Sequence, residues 1–109
     1  HTTCSDALWA GLPVVTRIGK SFASRVSASL LNAIDLPELI TYSEEEFENL
    51  ALDFANDKKK LDKVKIKLEK NKKTKSLFNT KLYTKNIESS YKIIHDRYLR
   101  DLPAEDVEI

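Results

Sequence analysis

Apolar positions along this chain follow two regimes. Up to about residue 42 they come in short clusters broken by glycine and proline; beyond it they recur every three or four residues. Ala7, Leu8 and Ala10 form a brief helical pattern that turns at Gly11-Leu12-Pro13. The β-branched stretch Val14-Val15-Thr16 then predicts a short buried strand, because branched side chains suit a pleated surface. Arg17 to Ser21 reads as a loop. Phe22, Val26, Leu30 and Ala33 share one helical face and predict a helix from about Ser21 to Ala33, ended by Asp35-Leu36-Pro37. Glu38-Leu39-Ile40-Thr41 predicts a second short strand. Helix, strand, helix, strand with short connections implies a parallel pair, since a helical crossover returns the chain to the same edge.

The second regime is helical. Ser43 followed by Glu46 is a capping box, with Phe47, Leu50, Ala51 and Phe54 as the apolar face. Asn56 or Asp57 caps a further helix whose inner face is Leu61, Val64 and Leu68 and whose other positions are nearly all lysine. Residues 71–76 read as a polar loop. Asn79 or Thr80 starts a last helix with Tyr83, Ile87, Tyr91, Ile94 and Tyr98 as a packing seam. Pro103 and residues 104–109 read as a frayed tail. The expected class is α/β: predominantly helical, with two short parallel strands. Two strands are too few to stand alone, so further strands are expected from outside these 109 residues.

Composition narrows this picture. Hydrophobic residues make up 41% and charged residues 32%, which fits a soluble globular domain and excludes a disordered chain. No apolar run spans a bilayer, and no signal-peptide pattern is present, so no membrane partner is expected. One cysteine excludes an internal disulfide framework and fits a reducing, cytoplasmic compartment. Two histidines and that cysteine, far apart, have no metal-ligand spacing. The absence of an initiator methionine suggests a C-terminal piece of a longer protein. The net charge of +1 conceals segregation: residues 43–57 carry six acids and no base, whereas residues 58–75 carry ten lysines against Asp62 and Glu69. Adjacent blocks of opposite sign point first to mutual compensation.

The candidate chemistry sits at the first helix. His1, Thr2, Thr3 and Ser5 surround a helix N-terminus, where unpaired N–H groups and the positive dipole end favour phosphate. Asp6, one turn on, repels phosphate but accepts hydrogen bonds from a neutral diol such as ribose. A nucleoside diphosphate satisfies both; ordinary N-capping is the alternative. Gly19-Lys20-Ser21 copies the end of a phosphate-binding loop, but Val14 occupies the position of its first glycine, and the match fails. The lysine cluster lacks interleaved aromatics and reads as a solvated face, with nucleic acid a weaker reading. Cys4 reads as a small residue under the helix. His95 has no triad partner in its local sequence, and Arg25 and Lys20 are left without a role.

The run His1-Thr2-Thr3-Cys4-Ser5-Asp6-Ala7-Leu8-Trp9-Ala10-Gly11-Leu12-Pro13-Val14-Val15-Thr16 closely resembles the donor-binding segment of the O-linked N-acetylglucosamine transferase family, including its bacterial, tetratricopeptide-repeat-bearing relatives. The likeness continues through Phe22 to Leu31, Leu36 to Ile40 and Leu77 to Thr84. The resemblance implies the C-terminal portion of a Rossmann-like lobe of a GT-B glycosyltransferase. It implies a partial nucleotide-sugar-binding α/β unit at 1–42, C-terminal helices of the same lobe at 43–102, and a tail at 103–109. It further implies transfer of N-acetylglucosamine from UDP-N-acetylglucosamine to serine or threonine hydroxyls of a protein acceptor. His1, Thr2 and Thr3 would hold the diphosphate and Asp6 the ribose, with no metal. Catalytic residues, uridine contacts and acceptor-binding repeats would lie upstream, leaving these residues inactive in isolation. Two departures stand out: Arg17-Ile18-Gly19-Lys20-Ser21 replaces the Pro-Gly-Glu-Thr typical of relatives, and His95 stands where relatives often carry tryptophan. The alternative is a non-catalytic helical module whose lysine face binds acidic protein or nucleic acid.

Overall fold

A computed structural model describes residues 2–109. The elements run α1 (Thr2–Trp9), β1 (Thr16–Arg17), α2 (Ala23–Ala33), β2 (Ile40–Thr41), α3 (Glu44–Asn56), α4 (Lys58–Thr74) and α5 (Thr80–Leu99). The described residues are mostly helical with one parallel strand pair, as the sequence predicts. They divide into two compact units, one through Phe78 and one from Asn79 onward.

In the first unit, β1 and β2 pair in parallel, Thr16 opposite Ile40 and Arg17 opposite Thr41. Thr41 reinforces the pair by donating its hydroxyl to the Thr16 carbonyl at 2.9 Å. Both strands lie later and are shorter than expected. Val14 and Val15 instead pack against the core without regular structure, and Pro37 opens a 3-10 turn, Pro37–Leu39, that consumes most of the second strand. Leu8, Ala28, Leu31, Ile34, Leu36, Leu39, Ile40, Val64 and Leu68 form the core, so α1, α2 and α4 converge on one cluster. Burying a leucine side chain of this kind contributes about 1.5–3 kcal/mol, so this cluster dominates the unit's stability.

Two helix ends fix how the elements meet. Helix α1 closes with a Schellman motif: Leu12 N–H donates to the Ala7 carbonyl at 2.9 Å and Gly11 N–H to Leu8 at 3.1 Å. Gly11 sits at φ 87°, the left-handed region where a side chain is strained. Helix α2 closes the same way through Leu36 to Leu31 and Asp35 to Asn32, with Asp35 at φ 58°. Its last carbonyls are then claimed by α4 and the turn after it. Asn71, 4% exposed, donates to Ile34 at 2.8 Å and Asp35 at 3.2 Å, and Ser76 donates to Ala33. This explains why residues 71–76 are not the expected loop. Asn71 is a core residue, α4 runs on to Thr74, and a 3-10 turn over 76–78 follows.

Other boundaries shift little. Helix α2 begins at Ala23, two residues late, because Ser21 Oγ accepts the Ser24 N–H and holds the preceding residues in a turn. Ser43 caps α3 by accepting the Glu46 N–H at 3.1 Å, while Glu46 reaches back to Tyr42 N–H, one residue before the usual capping-box donor. The expected apolar face of α3 is only half-covered: no residue of that helix is fully buried, and Phe47 is 39% exposed. Asp57 and Asn79 cap α4 and α5.

In the second unit, Tyr83, Tyr91, Ile94 and Tyr98 are exposed, so the expected seam on α5 is not buried. The tail has no regular structure, and its first residues are tied to the end of α5. Arg97 pairs with Glu105 and donates to the Pro103 carbonyl, folding residues 103–105 back on the end of α5.

Candidate functional site

Successive helix residues step by about 100°, which places Thr2, Asp6 and Thr3 within one arc of α1 and Cys4, Leu8 and Ser5 on the opposite side. Burial follows that split. Thr2, Thr3 and Asp6 are exposed, Cys4 and Ser5 are half-buried, and Leu8 is fully buried in the core. The two threonines and the acid therefore share a surface one turn deep at the helix N-terminus. Thr2 lies about 6 Å along the axis from Asp6. Among the described residues, the side chains of Thr2, Thr3 and Asp6 make no hydrogen bond or ion pair. His1, expected to join them, lies outside the described residues. Ser5 is turned toward the half-buried side, away from the arc of the threonines. Cys4 packs against the core, in line with its reading as a small residue beneath the helix.

In a strand–helix–strand unit with parallel strands, helices return antiparallel to the strands, so their N-termini lie at the strands' carboxyl edge. Ligands of open α/β sheets bind along that edge. Helix α1 is anchored by its far end: the Gly11 turn, Trp9 edge-on to Phe78 at 5.0 Å, and Lys72 over the Trp9 ring at 5.2 Å. The N-terminal surface is thus held by packing rather than by its own polar groups.

The remaining candidates are placed plainly. Gly19-Lys20-Ser21 does not wrap an anion. Gly19 N–H donates to the Ser24 carbonyl, Ser21 and Ser24 hydroxyls meet at 2.8 Å, and a Cβ on Gly19 would fall 2.5 Å from Ser24 Oγ. The loop is folded onto the start of α2. Lys20 and Arg25 are exposed, and Arg25 borders an open groove of about 690 Å³ with Ile18, Phe22, Val26, Ser29 and Leu30. His95 is exposed on α5. Among the described residues no three His, Cys, Asp or Glu side chains are grouped as metal ligands, and no helix is long and apolar enough to cross a membrane. Sequence reasoning missed Asn71 and this groove. The polar run around Asn71 resembled a loop, and the groove arises from the placement of Ile18 beside α2.

A mostly helical unit with one short parallel strand pair is compatible with part of an α/β fold. Comparison with known proteins gives it a family. Residues 1–87 match the model of glycosyl transferase family 41, and the chain belongs to that family. It is 40% identical over 92 residues to the probable UDP-N-acetylglucosamine--peptide N-acetylglucosaminyltransferase SEC of Arabidopsis thaliana, covering 84% of this chain and 9% of that protein. It is 32% identical over 107 residues to the UDP-N-acetylglucosamine--peptide N-acetylglucosaminyltransferase of Caenorhabditis elegans, covering 98% of this chain and 9% of that one. The probable transferase SPINDLY of Hordeum vulgare is 33% identical over 104 residues, 94% of this chain and 11% of its own length. The chain thus spans about a tenth of the length of these curated relatives.

Proposed function

We propose that this chain is the C-terminal donor-binding portion of a protein O-glycosyltransferase with a GT-B fold. In this reading residues 1–42 are the nucleotide-sugar-binding unit, 43–102 the helices completing the same Rossmann-like lobe, and 103–109 the tail. The enzyme works in the cytoplasm and takes N-acetylglucosamine from UDP-N-acetylglucosamine to a serine or threonine hydroxyl of a protein. The observation that carries the reading is the exposed cluster of Thr2, Thr3 and Asp6 at the start of α1, inside the stretch that matches the family. The names of the relatives, which specify a UDP-N-acetylglucosamine donor and a peptide acceptor, support the substrate class.

The chemistry follows from the helix end. As the bond from the sugar's anomeric carbon to the diphosphate breaks, negative charge grows on the departing UDP. Free N–H groups of the first turn, the hydroxyls of Thr2 and Thr3, and His1 donate to those oxygens. Donors already fixed in place stabilise that charge without reorganising. Asp6 accepts from the ribose hydroxyls, and its own charge disfavours seating the phosphates there, so the two polar stations set the direction of the nucleotide. No metal is required by this arrangement. The catalytic base, the uridine contacts and the acceptor site belong to other parts of the enzyme, and residues 1–109 alone do not turn over.

UDP titrated calorimetrically into the enzyme and into its Thr3→Ala, Asp6→Ala variant tests the assignment. Losing hydrogen bonds to charged groups weakens binding by about tenfold or more. Equal affinities, with helical content unchanged, would overturn it.

A further inference from the structure

The ten lysines of residues 58–75 are not one solvated face. Four are absorbed at the flanks of α4: Lys60 pairs with Asp53, Lys67 with Glu38, Lys72 with Glu69 and Lys75 with Asp35, at 2.9–3.2 Å. Lys58 and Lys65 fall on the side of the helix that carries Asp62 and Glu69, and Lys73 borders that side from the other edge. Lys59, Lys63, Lys70 and Lys73 remain. They fall within an arc of about 80°, opposite the buried face of Val64, Leu68 and Asn71. All four are exposed and have no ion-pair partner among the described residues. Ile66 sits in the middle of this stripe and is 71% exposed. Of the four pairs only Lys60–Asp53 joins the acidic block 43–57 to the lysine block, so the mutual compensation read from the charge blocks accounts for one lysine among the described residues.

We propose that the Lys59, Lys63, Ile66, Lys70, Lys73 stripe of α4 is a docking surface for an acidic polypeptide segment with an apolar side chain between carboxylates. Charge complementarity sets the acidic partner, and Ile66 selects its class. An exposed isoleucine gains only by burial against another apolar group. A phosphate backbone offers none, and single-stranded nucleic acid needs stacking aromatics that the stripe lacks. A bilayer surface demands a broad apolar face, and here that face is one residue. The stripe spans about 21 Å, the reach of an extended segment of about six residues. Its residues are none of those assigned to the donor, so the proposal stands apart from the transferase reading.

The probe is a dye-labelled peptide, Glu-Asp-Glu-Leu-Glu-Asp-Glu, followed by fluorescence anisotropy with the chain at low salt. A serine-for-leucine version, an oligothymidylate and phosphatidylserine vesicles run as competitors. Binding is expected to weaken about tenfold or more in the Lys63→Glu, Lys70→Glu variant and about threefold to tenfold in Ile66→Ser. Lys67→Gln, in a flanking exposed ion pair, is expected to stay within about twofold. Circular dichroism checks that each variant remains helical. No binding, equal binding of the serine peptide, or tighter binding of the oligonucleotide or vesicles through Lys63 and Lys70 would each overturn the proposal.

Discussion

The carboxyl end of α2 and the amino end of α1 are both helix termini with backbone groups that the helix itself does not satisfy. The chain treats them oppositely. At the end of α2, Asn71 and Ser76 reach from more than thirty residues away to take the carbonyls of Ile34, Asp35 and Ala33. At the start of α1, Thr2, Thr3 and Asp6 face outward with no side-chain partner among the described residues. Polar groups absorbed by the fold serve stability; those it leaves unspent are the ones with chemistry to offer. The two ends should therefore respond to mutation in opposite currencies, one in folding and the other in binding.

The closed end gives the largest expected effect. Asn71→Leu leaves the buried Ile34 carbonyl and the partly buried Asp35 carbonyl without this donor, and the loss at a buried carbonyl costs about 1–3 kcal/mol. A destabilisation of about 2–4 kcal/mol is expected, read as a lower denaturant midpoint at unchanged slope. A change below about 0.5 kcal/mol would mean that water satisfies this helix end and that the contrast is false. Leu68, fully buried beside Asn71 on α4, offers a purely apolar control. Leu68→Ala is expected to cost about 2–5 kcal/mol through lost burial and the cavity left behind.

Gly11→Ala comes next, because it attacks the anchored end of α1 while leaving the open end intact. A side chain at positive φ costs about 1–2 kcal/mol. The added Cβ would meet Glu69 Oε1 at 2.5 Å, but that atom ends a flexible side chain and can swing away. That swing gives up the exposed Lys72–Glu69 ion pair, which is worth at most about 1 kcal/mol, so the conformational cost dominates the expected loss. If UDP affinity also fell, the geometry of the N-terminal surface would depend on how the helix is closed at its other end.

The open end gives the sharpest reversal. Thr3→Ala, Asp6→Ala should change stability by no more than about 0.5 kcal/mol, as exposed substitutions without partners do. The same variant is expected to lose most of its affinity for UDP. A large loss of stability instead would show that these side chains cap the helix and serve structure.

The same contrast explains what was legible in the sequence. Local devices were: Ser43, Asp57 and Asn79 each cap the helix that their spacing to the next apolar run suggests, and each acts within three residues. The strand pair was legible as parallel because the helix between its strands forces it. Its register was not, since Thr16 pairs with a residue placed by the Pro37 turn, more than twenty residues away. Asn71 was misread for the same reason: a polar residue in a lysine-rich run carries no local sign that its partners are the Ile34 and Asp35 carbonyls. The tyrosines of α5 show the converse. Their spacing is a sound helical signal, but periodicity says which face is apolar and not what covers it. For the candidate site, the order of hydroxyls and acid at the chain start is local, and the structure places Thr2, Thr3 and Asp6 together and exposed; that order alone leaves ordinary N-capping open beside a nucleoside diphosphate.

The smallest expected effect tests whether helix closure in the second unit obeys the rule seen in the first. Helix α5 ends as α1 and α2 do: Leu102 N–H donates to the Arg97 carbonyl at 3.0 Å and Asp101 N–H to Tyr98 at 3.1 Å. Asp101 sits at φ 53°, where glycine is the residue without strain. Asp101 is exposed and forms no ion pair among the described residues, so its side chain contributes nothing that glycine would lose. Relief of the left-handed strain outweighs the extra freedom that glycine gives the unfolded chain, because the first is about 1–2 kcal/mol and the second about 0.4–1 kcal/mol. Asp101→Gly is therefore expected to stabilise the end of α5 by about 0.5–1 kcal/mol. The gain should appear as slower amide exchange at Leu102 and at position 101, corrected for the intrinsic rate of each residue, since these N–H groups close the turn. Faster exchange at both would show that the tail contacts from Arg97 to Pro103 and Glu105, and not the Schellman turn, hold this helix end together.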